Sequence, residues 1–460
     1  MRLNKRKYLS LPGLYKLPIT RYRLKSDLLF FILFTAIPTS FYAFINYEIF
    51  YQPQLYLDIN VLFLLISLIY TAIYIKHLPK LFAIPGGKAV FILVVFLFFQ
   101  ILYSYLIIGI NLIEILTIFR KNFFWPIATL GFLLYASTFN SNRLQRFFRW
   151  LVSLTIFLSI VYIFANMFNL DFYGLKSANE MLVKNGEVYM QNLSATPWYL
   201  TILFVFSFVT ALTSFKYNKH WQWLLCLVVV LIMVVRSTVI SYIVIILTIW
   251  IFIIIRHKKL YLRIKNKILF SGYFKNSIKV FILLFFAFII AIMIFPSRLN
   301  FIIVKFASLT GNVSSNYSIM SSFTLRLTLI GEAYIRTKAN LFLGNGYIRE
   351  SVAGTYDFVL GGDTFIAPVI FCEGIIGLLI RWLPIFIILF VSLKYIFSNN
   401  SKRYYLYYIS IVSLILISII GIVQTDIFIH YHSLFFIFML MQFIIYHDQR
   451  KQFDSMSEYL

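Results

Sequence analysis

Apolar runs near the ~20 residues that a helix needs to cross a ~30 Å hydrocarbon layer recur along the whole of this chain. Taken at that length they predict spans over residues 27–46, 57–75, 89–109, 122–139, 150–168, 196–213, 221–235, 237–255, 280–295, 365–393, 404–425 and 430–446. Between 221 and 255 the run is nearly unbroken. As one helix it would extend ~52 Å at 1.5 Å per residue, so it divides at Arg236-Ser237. Continuous blocks such as 280–295 and 404–423 exclude the alternating pattern of a membrane β-barrel. The expected fold is all-α, a polytopic integral membrane protein of about 12 transmembrane helices with one large extracytoplasmic loop.

That loop, residues 296–363, separates nine spans (27–295) from three more (364–447). A basic segment, 1–26, precedes the spans and a short tail, 448–460, follows them. A second long outer connection covers 169–195. No separate soluble domain and no internal repeat is visible.

Composition excludes a soluble globular protein: 61% of the 460 residues are hydrophobic and 12% charged, against about 25% charged in soluble domains. Charge then sets the orientation. The segments that an even number of spans places on the same side as both termini hold 29 of the 41 Lys and Arg but four of the 16 acids. The whole net charge of +25 thus falls on one face, which the positive-inside rule makes cytoplasmic. The high pI therefore records topology and contact with anionic lipid, and nucleic acid is excluded as a partner. The apolar segment 27–46 is long and lacks a small-x-small cleavage site, so it reads as an uncleaved signal anchor. Cys226 and Cys372 both fall in apolar segments and make neither a disulfide framework nor a metal site.

Chemistry is expected in the large loop and at the heads of the spans. Residues 322–340 read as a helix on the membrane surface, with Phe323, Leu327, Ile330, Tyr334 and Ile335 as its apolar stripe. Arg326 and Arg336 differ by about 80° around such a helix and can serve one broad polar face. Glu332 precedes Arg336 by four residues, so a surface ion pair is the plain reading of Arg336. Arg326 has no such neighbour and is the better anion ligand. A guanidinium suits a pyrophosphate because it stays charged and offers a planar fork. Arg236, at an outer turn, either snorkels to lipid phosphate or meets an anion.

Gly344 and Gly346 bracket Asn345 directly after this helix. They are either a left-handed helix stop or a loop that a sugar or phosphate can approach. Asp363 opens the tenth span, where a carboxylate either caps the helix or takes a proton from a hydroxyl at the membrane boundary. Glu373 and Arg381 lie deeper in that span. Eight residues along a continuous helix set them about 12 Å apart, so they are expected not to pair, and Pro384 is expected to kink the helix nearby. Asp426, His430 and His432 gather at the last outer turn, too few for a metal site. No metal or cofactor is called for. No phosphate-binding loop, zinc-protease motif or serine-hydrolase elbow is present in the sequence.

In order and spacing these pieces resemble the O-antigen polymerase and O-antigen ligase superfamily of bacterial envelope glycosyltransferases. In that family a large outer loop runs from an Arg-led helix through N-P-L-L-G-x-G to an H-N, which opens a span carrying G-[IL]-[IL]-G. The matching residues are Arg326, then Asn340-Leu-Phe-Leu-Gly344-Asn-Gly346, then Asp363-Thr364, then Gly374-Ile-Ile-Gly377. Arg236-Ser237 resembles the family's S-R-[SGT] step at the head of an outward-facing span. Leu341 stands where the family has proline, and Asp363-Thr364 where it has His-Asn, a departure that weighs against a ligase more than against a polymerase. The detailed resemblance covers residues 220–395.

The resemblance implies a polysaccharide repeat-unit polymerase in the bacterial cytoplasmic membrane. Such an enzyme moves a growing glycan from undecaprenyl pyrophosphate to a lipid-linked repeat unit at the extracytoplasmic face. On that reading Arg236, Arg326 and Arg336 hold the pyrophosphate and Asp363 is the general base. Displacement with one base inverts the anomeric centre without metal or cofactor. The implied partners are the undecaprenyl-pyrophosphate-linked oligosaccharide and membrane lipid, with flippase and chain-length regulator proteins alongside. The alternatives are a ligase that moves finished glycan to another acceptor, and a flippase of lipid-linked sugar. A flippase calls for ionisable residues lining a cavity through many spans, and few fall inside the assigned ones.

Overall fold

The computed structural model describes residues 17–36, 59–122, 125–167, 181–184, 187–190, 319–348, 366–397 and 405–421, with shorter pieces within 203–205, 222–226, 245–255, 279–289 and 435–445. The described chain is helical apart from one hairpin. Its helices are α1 (Leu17–Ala36), α2 (Ile59–Tyr74), α3 (Leu78–Phe82), α4 (Gly87–Leu106), α5 (Leu112–Asn122), α6 (Trp125–Ala136), α7 (Ser141–Met167), α8 (Ile319–Arg336), α9 (Ile366–Phe397) and α10 (Tyr405–Gly421). A 3-10 turn, Ile75–His77, joins α2 to α3. Among the described residues three helices are long and apolar enough to cross a membrane: Leu64–Phe82, Gly87–Leu106 and Ile366–Phe397. This is a helical membrane protein.

Packing follows the rules of a medium without a hydrophobic driving force between helices, where close approach and polar contacts hold helices together. Helix α2 lies along α6. The Ser67 hydroxyl donates to the carbonyl oxygens of Ala128 at 2.6 Å and Ile127 at 3.1 Å. Opposite it Gly131 leaves the room, since a Cβ there would strike the Ser67 carbonyl. Helix α9 is the hub of the other half, touching α4, α8 and α10. Ile92, Val95, Phe99 and Leu102 on α4, with Leu379, Phe386 and Phe390 on α9, are exposed. They form the faces such helices turn toward lipid.

Several elements depart from the sequence expectation, and α7 also begins early, at Ser141. Helix α1 begins at Leu17 rather than near residue 27, so Asp27 lies inside it and is buried. The helix tolerates this acid because Arg143 binds both of its oxygens, with Nε to Oδ2 at 3.0 Å. The Tyr135 hydroxyl donates to Oδ1 at 2.9 Å. Arg143 also stacks over the Phe139 ring, 4.2 Å from its centre. Gln442 adds its amide to the carbonyls of Ala136 and Phe139, so α1, α6, α7 and residues 437–445 meet at one end.

The second departure is α5, in what reads as a short connection. Its signal is local: the Asn111 side chain caps the Ile113 amide at 2.9 Å, and Glu114 sits in the first turn. The third is an antiparallel hairpin within 169–195, β1 (Met181–Lys184) paired with β2 (Glu187–Met190), Lys184 opposite Glu187. Asn185-Gly186 between them is a pair that two-residue hairpin turns favour.

Asp27→Ala leaves a mostly buried guanidinium unpaired. The expected cost is about 3 kcal/mol, read as a lower thermal midpoint of the purified protein in detergent. Asp27→Asn, which keeps an acceptor, is expected to lose less. Midpoints equal to wild type would mean that the pair contributes nothing to stability.

Candidate functional site at a broken span

Helix α9 is not continuous. Gly374 has φ 67° and ψ −167°, which divides the helix into an arm over 366–373 and a second over 375–397. The break lies ten residues before Pro384, where a kink was expected. A break inside an apolar span strands carbonyls on one arm and amides on the other, at several kcal/mol each in hydrocarbon. The segment that follows α8 supplies the missing partners. Asn345 N donates to the Phe371 carbonyl at 2.9 Å and Gly346 N to that of Cys372 at 3.1 Å. In return Ile375 N donates to the Leu341 carbonyl at 3.0 Å and Ile376 N to that of Phe342 at 3.2 Å. From α4, Gln100 Nε2 donates to the carbonyls of Leu343 at 2.6 Å and Cys372 at 2.8 Å.

Glycine makes this contact possible. Gly344 and Gly346 take left-handed φ values of 74° and 73°. A Cβ on Gly344 would sit 2.5 Å from the Cys372 carbonyl carbon, and one on Gly374 would strike the Phe342 carbonyl. The close approach these glycines permit is to α9 itself. Asn345 also donates through Nδ2 to the Arg336 carbonyl at 3.3 Å, closing the end of α8.

At the break three buried polar side chains converge. Glu373 accepts the Tyr347 hydroxyl at 2.7 Å, Arg381 Nε at 2.6 Å and Arg381 Nη2 at 2.5 Å. Glu373 and Arg381 were expected not to pair, and the structure overturns this. The expectation assumed one straight helix with side chains standing off it. Instead Glu373 ends the first arm and folds over Gly377, where a Cβ would collide with its own. Positions 377 and 381 share one face of the second arm. Glycine at 377 leaves that face bare beside Glu373, and Arg381 leans back toward the helix N-terminus to reach the carboxylate. The Tyr347 hydroxyl is fully buried and donates to the Glu373 carboxylate. Gln100 Oε1 is the buried side-chain polar atom left without a hydrogen-bond partner among the described residues.

Helix α8 packs against α9, only in part by the stripe read from sequence. Leu329 and Ala333 are buried, with Thr337 just past the helix end, and Ile330 of the stripe packs against the core, while Leu327, Tyr334 and Ile335 are exposed. The side chain of Phe323 lies outside the described atoms. Arg336 Nε pairs with Glu332 at 2.9 Å, the i,i+4 contact its spacing suggested. Arg326 lies on the same helix, with its side chain outside the described atoms. Arg236, Asp363, His430 and His432 lie outside the described residues. Among the described residues no three His, Cys, Asp or Glu come together as a metal site would require.

Sequence reasoning missed Gln100, Ser104 and Tyr347. Gln100 and Ser104 carried a signal, being polar residues four apart in an apolar span and so on one helix face. Ser104 Oγ donates to the Gln100 carbonyl at 2.7 Å and accepts from Tyr347 N at 3.1 Å. Tyr347 carried none, since nothing local sets it apart from the other tyrosines. The chain matches no family model, no curated protein and no solved structure.

Two glycine substitutions should separate in sign. Gly331→Ala meets nothing within 4 Å and is expected to stabilise α8 by about 0.5–1 kcal/mol through helix propensity. Gly377→Ala displaces Glu373 and is expected to destabilise. Thermal midpoints in detergent falling in the reverse order would contradict the close packing at Gly377.

Proposed function

We propose that this protein is a polysaccharide repeat-unit polymerase, a glycosyltransferase acting at the extracytoplasmic face of a bacterial cytoplasmic membrane. One observation carries the reading. The glycine turn ending Asn340-Leu-Phe-Leu-Gly344-Asn-Gly346 and the Gly374-Ile-Ile-Gly377 stretch lie far apart in sequence, yet their backbones are bonded to each other. Helix α8, which carries Arg326 and Arg336, is tied to the same joint through Asn345. The two stretches on which the resemblance rests thus form one unit of structure, which supports reading them together as one site.

In the proposed reaction an acceptor hydroxyl of the lipid-linked repeat unit attacks the anomeric carbon of the donor glycan. The new carbon–oxygen bond forms as the bond to the pyrophosphate oxygen breaks, and the centre inverts. Asp363 takes the hydroxyl proton. Undecaprenyl pyrophosphate leaves with the electron pair, its charge stabilised by Arg326 and Arg236 as fixed donors. Arg336, already engaged by Glu332, contributes at longer range. Both termini are placed in the cytoplasm by the charge distribution.

A transporter of lipid-linked sugar is the second reading, because discontinuous spans form substrate sites in many transporters. It ranks lower because the helix ends at Gly374 are occupied by the 341–346 segment instead of facing a cavity.

In cells that make the cognate glycan, Arg326→Ala and Asp363→Asn at normal membrane levels are expected to cut polymer formation by ~100-fold or more, leaving single-repeat product. Full-length polymer from either variant removes that residue from the mechanism. Long polymer retained on its lipid carrier after deletion of the protein would indicate a ligase. Movement of lipid-linked sugar across reconstituted vesicles without a new glycosidic bond would indicate a transporter.

A further inference from the structure

The Tyr347–Glu373–Arg381 cluster has no part in the chemistry proposed above. It is also a costly way to fill space, since well-packed apolar residues in place of a buried ion pair are often neutral or stabilising. Its members are distributed with a purpose that packing alone does not require. Tyr347 comes from the segment inserted at the break, Glu373 is the last residue of the first arm, and Arg381 stands on the second arm. Each of the three pieces that meet at Gly374 thus supplies one polar side chain to a shared knot.

We infer that Tyr347, Glu373 and Arg381 form a latch that holds the 341–347 segment in the break of α9 and thereby sets the position of α8. The segment has little slack to absorb movement. Asn340 N bonds the Thr337 carbonyl at 2.8 Å, Gly344 N bonds that of Asn340 at 2.7 Å, and Asn345 returns to Arg336. Release of the segment would therefore carry the end of α8 with it. Release would also strand the Phe371 carbonyl and the amides of Ile375 and Ile376 inside an apolar span, and would take from Glu373 its bond from Tyr347. Partial release has little to stabilise it, so the joint is either docked or open to water. That the latch orients Arg326 for catalysis rests on the polymerase reading; that it closes the break does not.

Cys372 is a native reporter of this state. Its carbonyl accepts two of the joining bonds, from Gly346 and Gln100, and the residue is fully buried. Cys226, also buried, serves as the control for loss of the fold. The full-length protein in native membranes would be treated with a small water-soluble maleimide, and labelling at each cysteine followed over time. Both thiols are expected to react slowly in wild type. In Glu373→Gln, and in the milder Tyr347→Phe, local opening is expected to raise the Cys372 rate about tenfold or more with Cys226 unchanged. Polymer formation is expected to fall in the same variants. Arg326→Ala is expected to lose polymer with Cys372 still protected, which separates failure of the latch from failure of the reaction. Cys372 as protected in both latch variants as in wild type overturns the inference. So does equal exposure of Cys226 and Cys372, since the cluster would then support the fold as a whole.

Discussion

A backbone amide or carbonyl inside a bilayer has no water to turn to, and the interrupted helix α9 is organised by that fact. Its break at Gly374 would be prohibitive if its ends faced lipid. They face the segment after α8 instead, which exchanges amides and carbonyls with both arms while Gln100 of α4 bonds it from the side. The exchange brings α4, α8 and α9 to one place, and it accounts for the glycines at 344, 346 and 374, whose backbones must approach without side chains between them.

The two ends of the described structure solve the burial of charge in the same way. At one, Asp27 receives Arg143 and the Tyr135 hydroxyl. At the other, Glu373 receives Arg381 and the Tyr347 hydroxyl. In each case a carboxylate inside an apolar helix binds a guanidinium, and a tyrosine from another piece of chain takes a third acceptor position. A lone charge at such depth would be expelled or neutralised. As a set, the groups become connectors between separate pieces of the chain. Most remaining cations belong to segments outside the apolar spans.

The proposed chemistry draws on a different set of groups, those of the polar loop and span heads. Arginines gather leaving-group charge and an acid at the membrane boundary accepts a proton. The joint at Gly374 supplies what such chemistry needs from a scaffold, a fixed relation between the helix bearing Arg326 and the span that Asp363 precedes. Precision of this kind is hard to obtain from a long loop unless its base is anchored, and the 341–347 segment is that anchor.

Much was legible in the chain before any coordinates. Apolar length marked α2, α4, α9 and α10 to within a few residues, because the thickness of hydrocarbon is a local demand on consecutive residues. The glycine pair after α8 and the Glu332–Arg336 contact were likewise readable, since each depends on neighbours a turn away. Other features were not. Whether Glu373 and Arg381 pair depends on a break whose backbone groups are satisfied by Gln100 and Leu341, at distant places in the sequence. Which face of α8 is buried depends on where α9 lies, and it centres on Leu329 and Ala333 instead of the whole apolar stripe. The sequence by itself determined where the long apolar helices form, because hydrophobic length acts over a few turns. Only the tertiary structure decided where a span breaks and what closes it, because hydrogen bonds in an apolar medium are satisfied by whatever the fold brings alongside.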